Sequence, residues 1–407
     1  MTGGQRLAGD VPAGRSPAHG FGDDEETRRL LRSRPPRQAL AWAAACLGGP
    51  VISARALRGG MSSAVHLLTV EDGPGHRRRA VLRRYVRPES NEQEPDAAWR
   101  EARALRVAGA AGVPTPALLA VDPAGAEAGV PAILMSRLPG QVDWWPSDLN
   151  RWLARLAEVP PRIHAAPLPL PGELRPFAPY RQASYRPPGW ARYPRVWERA
   201  AEISRGPQPR LPAVLLHRDF HPGNVLWRRG TVTGVVDWQA ACTGPAVADV
   251  AHCRVNLLTI GTGAAESFTA LWQRAAGGAY HPWADVVTII GLLDDLRDDW
   301  GSERQLIEEM LARAVAELGG TAPALNPRLL VAPDRSLLLR ERGQLLDAVL
   351  APGATALVMR RDRRRRSDGV PDLLIFRGGQ HEAGQLQDFV RREVVGDGDR
   401  TYPRPLD

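Results

Sequence analysis

His217-Arg218-Asp219-Phe220-His221-Pro222-Gly223-Asn224-Val225-Leu226-Trp227, followed shortly by Val235-Val236-Asp237-Trp238, decides how this chain reads. The pattern H-R-D-x-x-x-x-N sets one carboxylate five residues before an amide, and a second carboxylate follows on the next apolar run. A catalytic loop for phosphoryl transfer presents its base, its Asn and its second metal ligand in that order. Moving a γ-phosphoryl group asks little covalent chemistry of a protein; the site must hold a hydroxyl in line and offset charge on the phosphate oxygens. Asp237 is therefore expected to ligate Mg2+ on the nucleotide phosphates and Asn224 to offer that metal a neutral oxygen. Asp219 is expected to accept or orient the proton of the acceptor hydroxyl, and His217 to brace the loop. The short apolar runs Ala213-Val214-Leu215-Leu216 and Gly234-Val235-Val236 read as strands that hold the loop between them.

Carried by LLHRDFHPGNVLW, by GVVDW and by Asp249 in Pro245-Ala246-Val247-Ala248-Asp249-Val250-Ala251, the chain resembles the aminoglycoside phosphotransferase and choline kinase family. These are small-molecule kinases with the protein-kinase-like fold. Trp238 stands where protein kinases have Phe-Gly, and no activation segment ending in Ala-Pro-Glu follows Asp237. Arg218 stands where many family members have Gly. The resemblance implies an α+β, bilobal architecture: an N-terminal five-stranded antiparallel sheet with one main helix, then a mostly helical lobe. It also implies ATP or GTP as donor, Mg2+ as cofactor and a small-molecule hydroxyl as acceptor.

Upstream residues supply the other parts such a fold requires. Val51 to Leu57 and Ala64 to Val70 read as strands joined by Arg58-Gly59-Gly60-Met61-Ser62-Ser63. Gly59 and Gly60 let backbone approach a phosphate, and Ser62 or Ser63 can donate to it, although two glycines between apolar runs also suit a plain hairpin turn. The next strand is Ala80-Val81-Leu82-Arg83-Arg84-Tyr85, and all 53 basic residues of the chain are Arg, so the phosphate-pairing cation has to be an arginine. Arg83 ends the apolar run as the lysine does in Val-Ala-Ile-Lys and is preferred; a register slip of one residue exchanges it for Arg84. Glu101, in the helix-forming stretch Ala97 to Leu105, completes the ion pair; without the strand before it, it would read as an exposed partner of neighbouring arginines. Strands over Ala117 to Asp122 and Ala132 to Arg137 complete the sheet. By resemblance, Met135-Ser136-Arg137-Leu138 is the interlobe hinge, with Ser136 and Leu138 meeting the adenine edge.

Beyond Pro139-Gly140 the pattern turns helical, with Ser147 read as the cap of a helix carrying Leu149, Trp152, Leu153 and Leu156 on one stripe. His164 reads as a packed structural residue. Residues 166 to 212 offer a place for an acceptor pocket. Asp294, Asp295, Asp298 and Asp299 form a carboxylate face that suits either a cationic acceptor or plain solvation, the latter preferred, and Trp144 and Trp145 read as core before stacking platforms.

With 407 residues and 43% hydrophobic content the chain exceeds a two-lobed kinase of roughly 280 residues, leaving both ends over. Residues 1–36 read as a disordered tail, 37–138 as the nucleotide-binding lobe, 139–320 as the helical lobe, and 321–407 as a small α/β extension of unassigned role. Within it lie strand-like Thr355 to Met359 and Leu373 to Phe376 and a helix around Leu386 to Val395. Gly369-Val370-Pro371-Asp372 with Glu382 imitates a nuclease motif, but Gly384 occupies its lysine position. The run Arg360 to Arg366 suggests nucleic acid, yet residues 321–407 hold 15 Arg against 12 acidic residues without interleaved aromatics, so no specific nucleic-acid partner is expected. Ala39 to Leu47 is too short to span a bilayer and reads as a first amphipathic helix; no membrane partner is expected. The unpaired Cys46, Cys242 and Cys253 and the lack of a leader-like segment suit the cytoplasm. The sequence does not speak to oligomeric state. Two other classes remain: a nucleotide-binding pseudoenzyme, opposed by the intact Asp219, Asn224 and Asp237, and a nucleic-acid-associated protein.

Overall fold

The computed structural model describes residues 25–57, 63–71, 73, 75–179, 185–292 and 303–319, with strand backbone at 355–361 and 371–377. It divides into two compact units: one holds the residues up to Pro146 with Ala166–Arg175 and Pro222–Cys242, the other Ser147–Ala165, Pro176–His221 and the residues from Thr243 on. Pro222–Cys242 thus belongs with the sheet unit, where the sequence reading had put it with the helices.

In the first unit, β1 (Val51–Ala56), β2 (Ala64–Glu71), β3 (Arg77–Arg84), β4 (Leu118–Asp122) and β5 (Ala132–Ser136) form an antiparallel sheet in the order β1-β2-β3-β5-β4. Two-residue alternation gives the sheet its faces: Leu68, Val70, Ala80, Leu82 and Leu134 pack with Ala39, Trp42, Ala43 and Leu47 of helix α2 (Arg37–Leu47) in one apolar cluster. The helix stops at Gly48, whose φ of 69° is the left-handed cap conformation glycine takes without steric penalty. A preceding helix, α1 (Glu25–Arg32), lies inside the stretch expected to lack structure. It carries Arg29 and Arg32 in its last turn, where they complement the helix dipole, and it buries Leu31, one apolar anchor that a periodicity reading overlooks. Short α3 (Pro88–Gln93) leads into α4 (Ala97–Ala110), which packs on β4 and β5.

After β5 the chain turns at Pro139-Gly140. Gly140 has φ 109°, and a Cβ there would stand 2.5 Å from Thr233 Oγ1 and 2.7 Å from the Trp227 carbonyl oxygen. The close approach lets Gln141 bridge Trp227 through two backbone bonds of 3.0 and 2.7 Å. Gly140→Ala should therefore destabilise the chain by about 1–3 kcal/mol; an unchanged thermal midpoint would show that the turn relaxes freely.

The second unit contains α5 (Leu149–Ala157), α6 (Val159–His164), α7 (Pro194–Arg205), the strand β6 (Ala213–Leu216), and helices α8 (Val247–Leu257), α9 (Thr262–Ala276), α10 (Trp283–Gly291) and α11 (Glu303–Glu317). The stripe Trp152, Leu153 and Leu156 is buried as expected, but the cap is Asp148: its carboxylate accepts from the Arg151 amide at 3.0 Å. The helix begins one residue later than Ser147 implied, which carries the carboxylate to the third amide. Buried Glu308 of α11 accepts from the amides of Arg192 and Tyr193 and from Trp197 Nε1, fixing the entry to α7. Arg254 of α8 grips Asp285 of α10 through two contacts of 3.0 and 3.1 Å.

Pro222–Asn224 forms a short 3-10 turn that leads into β7 (Val225–Arg228) and β8 (Thr231–Val235), a hairpin of the first unit; β9 (Cys242–Pro245) follows. In the extension β10 (Thr355–Arg361) pairs antiparallel with β11 (Pro371–Arg377), as read from the sequence. The helix expected at Leu386 to Val395, the Asp294–Asp299 cluster, Gly59, Gly60, Ser62, Gly369, Glu382, Gly384 and Arg363 to Arg366 lie outside the described residues. Among the described residues no helix is long and apolar enough to cross a membrane.

Candidate active site

Pleating sends the two arginines of β3 to opposite faces. Register pairs Val65 with Arg83 and Ala64 with Arg84, so successive side chains leave opposite faces. Arg83 emerges on the α4 side: its Nη1 lies 3.1 Å from Glu101 Oε1 and 2.8 Å from Asp237 Oδ1, and its Nε donates to Ser63 Oγ at 2.6 Å. Arg84 is buried on the other face, where its Nε and Nη2 find no hydrogen-bond partner among the described residues. Arg83, Glu101 and Asp237, dispersed over 155 positions of sequence, thus meet at one guanidinium.

Burial opposes the charge on Arg83, but Asp237 and Glu101 beside it outweigh that cost and raise its pKa above the ordinary arginine value. Burial pushes the Glu101 carboxyl up, against the pull of Arg83. Tyr85, two residues beyond Arg83 on the same face, donates its hydroxyl to Glu101 Oε2, and burial together with Glu101 pushes that phenol well up. The sequence reading missed Tyr85, although its i+2 spacing from Arg83 was the signal. The Trp238 amide adds a longer bond, 3.4 Å, to Glu101 Oε1, and Arg100 Nε holds the Gln239 carbonyl at 2.6 Å, tying α4 to the strand end that carries Asp237.

Asn224 and Asp237 are placed by the β7–β8 hairpin. Val225 pairs with Val235, and the Val236 amide donates to the Asn224 carbonyl at 2.9 Å, so the two residues close the same end of one ladder. Asp237 has φ 69°, a left-handed conformation that costs a non-glycine residue and is held here by its neighbours. Its side chain is 26% exposed while Asn224 is buried. Among the described residues no group of three or more His, Cys, Asp or Glu could hold a metal ion. Magnesium on a nucleotide needs no such cage, because one or two protein oxygens plus phosphate and water complete its shell; a partly exposed carboxylate and an amide carried at one end of the same hairpin are oxygen donors of the kind it takes.

At the expected hinge, Ser136 donates its amide to the Ala117 carbonyl at 2.8 Å, and its hydroxyl oxygen accepts from the Ala117 amide at 2.9 Å. Leu138 packs over Gly234, where a Cβ would come within 2.1 Å of its Cδ1. Trp144 is buried, as expected; Trp145 is 67% exposed.

The second unit carries Asp219. Asp249 of α8 anchors the loop before it, accepting from the His217 amide at 3.0 Å, the Arg218 amide at 2.6 Å and His164 Nε2 at 3.0 Å. His164 is thus a brace for Asp249, in keeping with its structural reading. The His217 ring is buried against Phe220. Arg218 has φ 68°, the conformation for which glycine is the ordinary choice at this position. Its cost is offset by Asp249 on the amide, by the Ala178 carbonyl at 2.6 Å from Nη2 and by the Phe177 ring 5.1 Å beneath the guanidinium. Asp219 Oδ1 accepts from His252 Nε2 at 2.9 Å, with His221 Nε2 at 3.9 Å. Partial burial resists ionisation of Asp219, but His221, then His252 and His217, hold its carboxyl well below the usual range.

Compared with known proteins, residues 53–286 match the family model described as the phosphotransferase enzyme family, APH, more than half of the chain. No curated protein matches it. Similar solved structures include a thermostable mutant of aminoglycoside phosphotransferase APH(4)-Ia in ternary complex with ADP and hygromycin B, at 18% identity, covering 69% of this chain and 99% of that one, TM-score 0.49. Macrolide 2'-phosphotransferase MphH from Brachybacterium faecium is 19% identical, covering 67% and 98%, TM-score 0.45. A macrolide 2'-phosphotransferase type I is 18% identical, covering 70% and 97%, TM-score 0.45.

Proposed function

This chain belongs to the phosphotransferase enzyme family, and we propose that it transfers the γ-phosphoryl group of ATP or GTP to a hydroxyl of a small molecule. What most supports the reading is Arg83 joining Glu101 and Asp237, three residues whose roles the sequence had assigned in advance. Arg83 pairs the nucleotide phosphates, with Glu101 and Ser63 fixing the direction of its guanidinium fork. Leu138 borders the adenine; Gly59, Gly60 and Ser62, outside the described residues, keep the phosphate-contacting role that the sequence suggests.

Asn224 and Asp237 hold Mg2+, which when bound neutralises charge on the phosphate oxygens. Asp219 receives the acceptor hydroxyl. As the new oxygen–phosphorus bond forms and the bond from γ-phosphorus to the bridging oxygen breaks, the hydroxyl proton passes to Asp219 and then to solvent, and the nucleoside diphosphate leaves. A carboxylate held strongly ionised is a weak base, so Asp219 acts chiefly by orienting the hydroxyl, which suits a loose transition state that needs little early deprotonation. His217 braces this loop from its buried position. The free thiols of Cys46, Cys242 and Cys253 support the cytoplasm as compartment.

The test is magnesium-dependent ADP release from ATP, and GDP release from GTP, across aminoglycosides, macrolides, choline-like amines, amino alcohols and sugars. Stimulation by one acceptor class, absent in Asp219→Asn, is the expected result. Silence across the panel with no nucleotide binding overturns the reading.

A further inference from the structure

His252 lies 33 positions beyond Asp219 on a different element, and nothing in the motif at 217–227 calls for it. Yet its Nε2 lies 2.9 Å from Oδ1 of the Asp219 carboxylate. Helix α8 aims it there through the neighbouring residues Asp249 and Cys253: Asp249 is pinned by three donors, and Cys253 is fully buried. The same helix therefore fixes the loop backbone, through Asp249, and the carboxylate that the loop presents. Resting on the phosphotransferase reading above, we propose that His252 is a positioning residue of this site: its Nε2–H holds Oδ1 of Asp219 and so sets how the carboxylate meets the acceptor hydroxyl.

An ionised carboxylate can only accept, so the contact requires a hydrogen on His252 Nε2. A donor carried on α8 restricts how the carboxyl can turn, and so favours one orientation toward the hydroxyl at the instant of transfer. The His221 ring stands 5.8 Å from that of His252 and 3.9 Å by Nε2 from Oδ1, further than a hydrogen bond, so it supplies field while His252 supplies geometry. His217 is the remaining titratable group facing Asp219, and it reaches the carboxylate through its field.

The experiment uses the full chain labelled with 15N in its histidines. Long-range proton–nitrogen spectra at pH 8 should show one ring in the Nε2–H form, its assignment fixed by its loss in His252→Ala, and its nitrogen shift should move in Asp219→Asn. Kinetically, with MgATP and either the acceptor found in the panel or water as acceptor, His252→Ala should lower kcat by about tenfold while KM for ATP stays put. Its acid limb should move to higher pH, because a carboxyl deprived of its donor protonates more readily. His252→Gln, which retains an N–H donor, should recover most of the rate. A purely structural histidine would lower the melting temperature without moving the acid limb. A wild-type chain that turns over while His252→Ala keeps its kcat and pH profile overturns the role alone. A wild-type chain inactive in every assay overturns the phosphotransferase reading, and the role with it.

Discussion

Asp219→Asn should lower phosphoryl transfer by ~10³-fold while MgATP affinity stays within about twofold. Asparagine is nearly isosteric, and the loop backbone is pinned from Asp249 rather than from the residue replaced, so the fold around it persists. The carbonyl oxygen of the new amide still accepts from His252, so orientation is partly kept and the charge is what is lost. Equilibrium binding of MgATP and single-turnover transfer separate the two effects; a variant that keeps full turnover would remove Asp219 from the chemistry. The substitution also has a pH signature. A carboxyl held below its usual range in the folded chain contributes stability that is fully present above its unfolded pKa and is lost as pH falls through the folded value. The deficit in melting temperature of Asp219→Asn should therefore be full near neutrality and shrink below about pH 4.

The core of the site was legible because it is local or strictly periodic. Asp219, Asn224 and Asp237 come from one loop and its following hairpin, and strand alternation favoured Arg83 over Arg84 up to a register slip of one; the register pairs Arg83 with Val65 and Ile133. What stayed hidden comes from distant elements. His252 and the clamp of Asp249 on the loop depend on how α8 packs, information absent from any spacing near the motif. Arg218 was visible as a departure from glycine, but its φ of 68° and the Phe177 and Ala178 contacts that offset it could be found only in three dimensions. At Ser136, which resemblance marked for the nucleotide, the pairing with Ala117 through amide and hydroxyl oxygen is likewise a tertiary fact that no local pattern announces.

For the fold, the five sheet strands and α4 were readable because each pairs a strong period with a clear breaker. Boundaries were weaker. Ser147 and Asp148 are equally good caps by composition, and only the reach of the Asp148 carboxylate to Arg151 decides between them. Helix α1 escaped because a short charged stretch with one buried leucine gains its stability from the sheet it covers and shows little period of its own.

Asp237→Asn should separate the metal-dependent from the metal-independent part of nucleotide binding. Asparagine is among the few residues other than glycine that populate the left-handed region, so the backbone at φ 69° should survive the exchange. Arg83 also keeps its other anchors, Glu101 at 3.1 Å and Ser63 at 2.6 Å, so the guanidinium stays in place. The negative charge is lost. If Asp237 carries the metal, several kcal/mol of charge stabilisation goes with it, which at 1.36 kcal/mol per decade means a fall in kcat on the order of 10²-fold or more. MgATP should bind less tightly. Metal-free ATP, measured in EDTA, should bind as well as before or better, because a carboxylate that repelled its phosphates has gone and Arg83 is released from its 2.8 Å contact with that carboxylate. Opposite signs in the two titrations distinguish this from damage to the phosphate cation: Arg83→Lys, which gives up the planar fork, should weaken both. Equal losses with and without magnesium in Asp237→Asn would assign Asp237 to holding Arg83, and the metal would need another ligand.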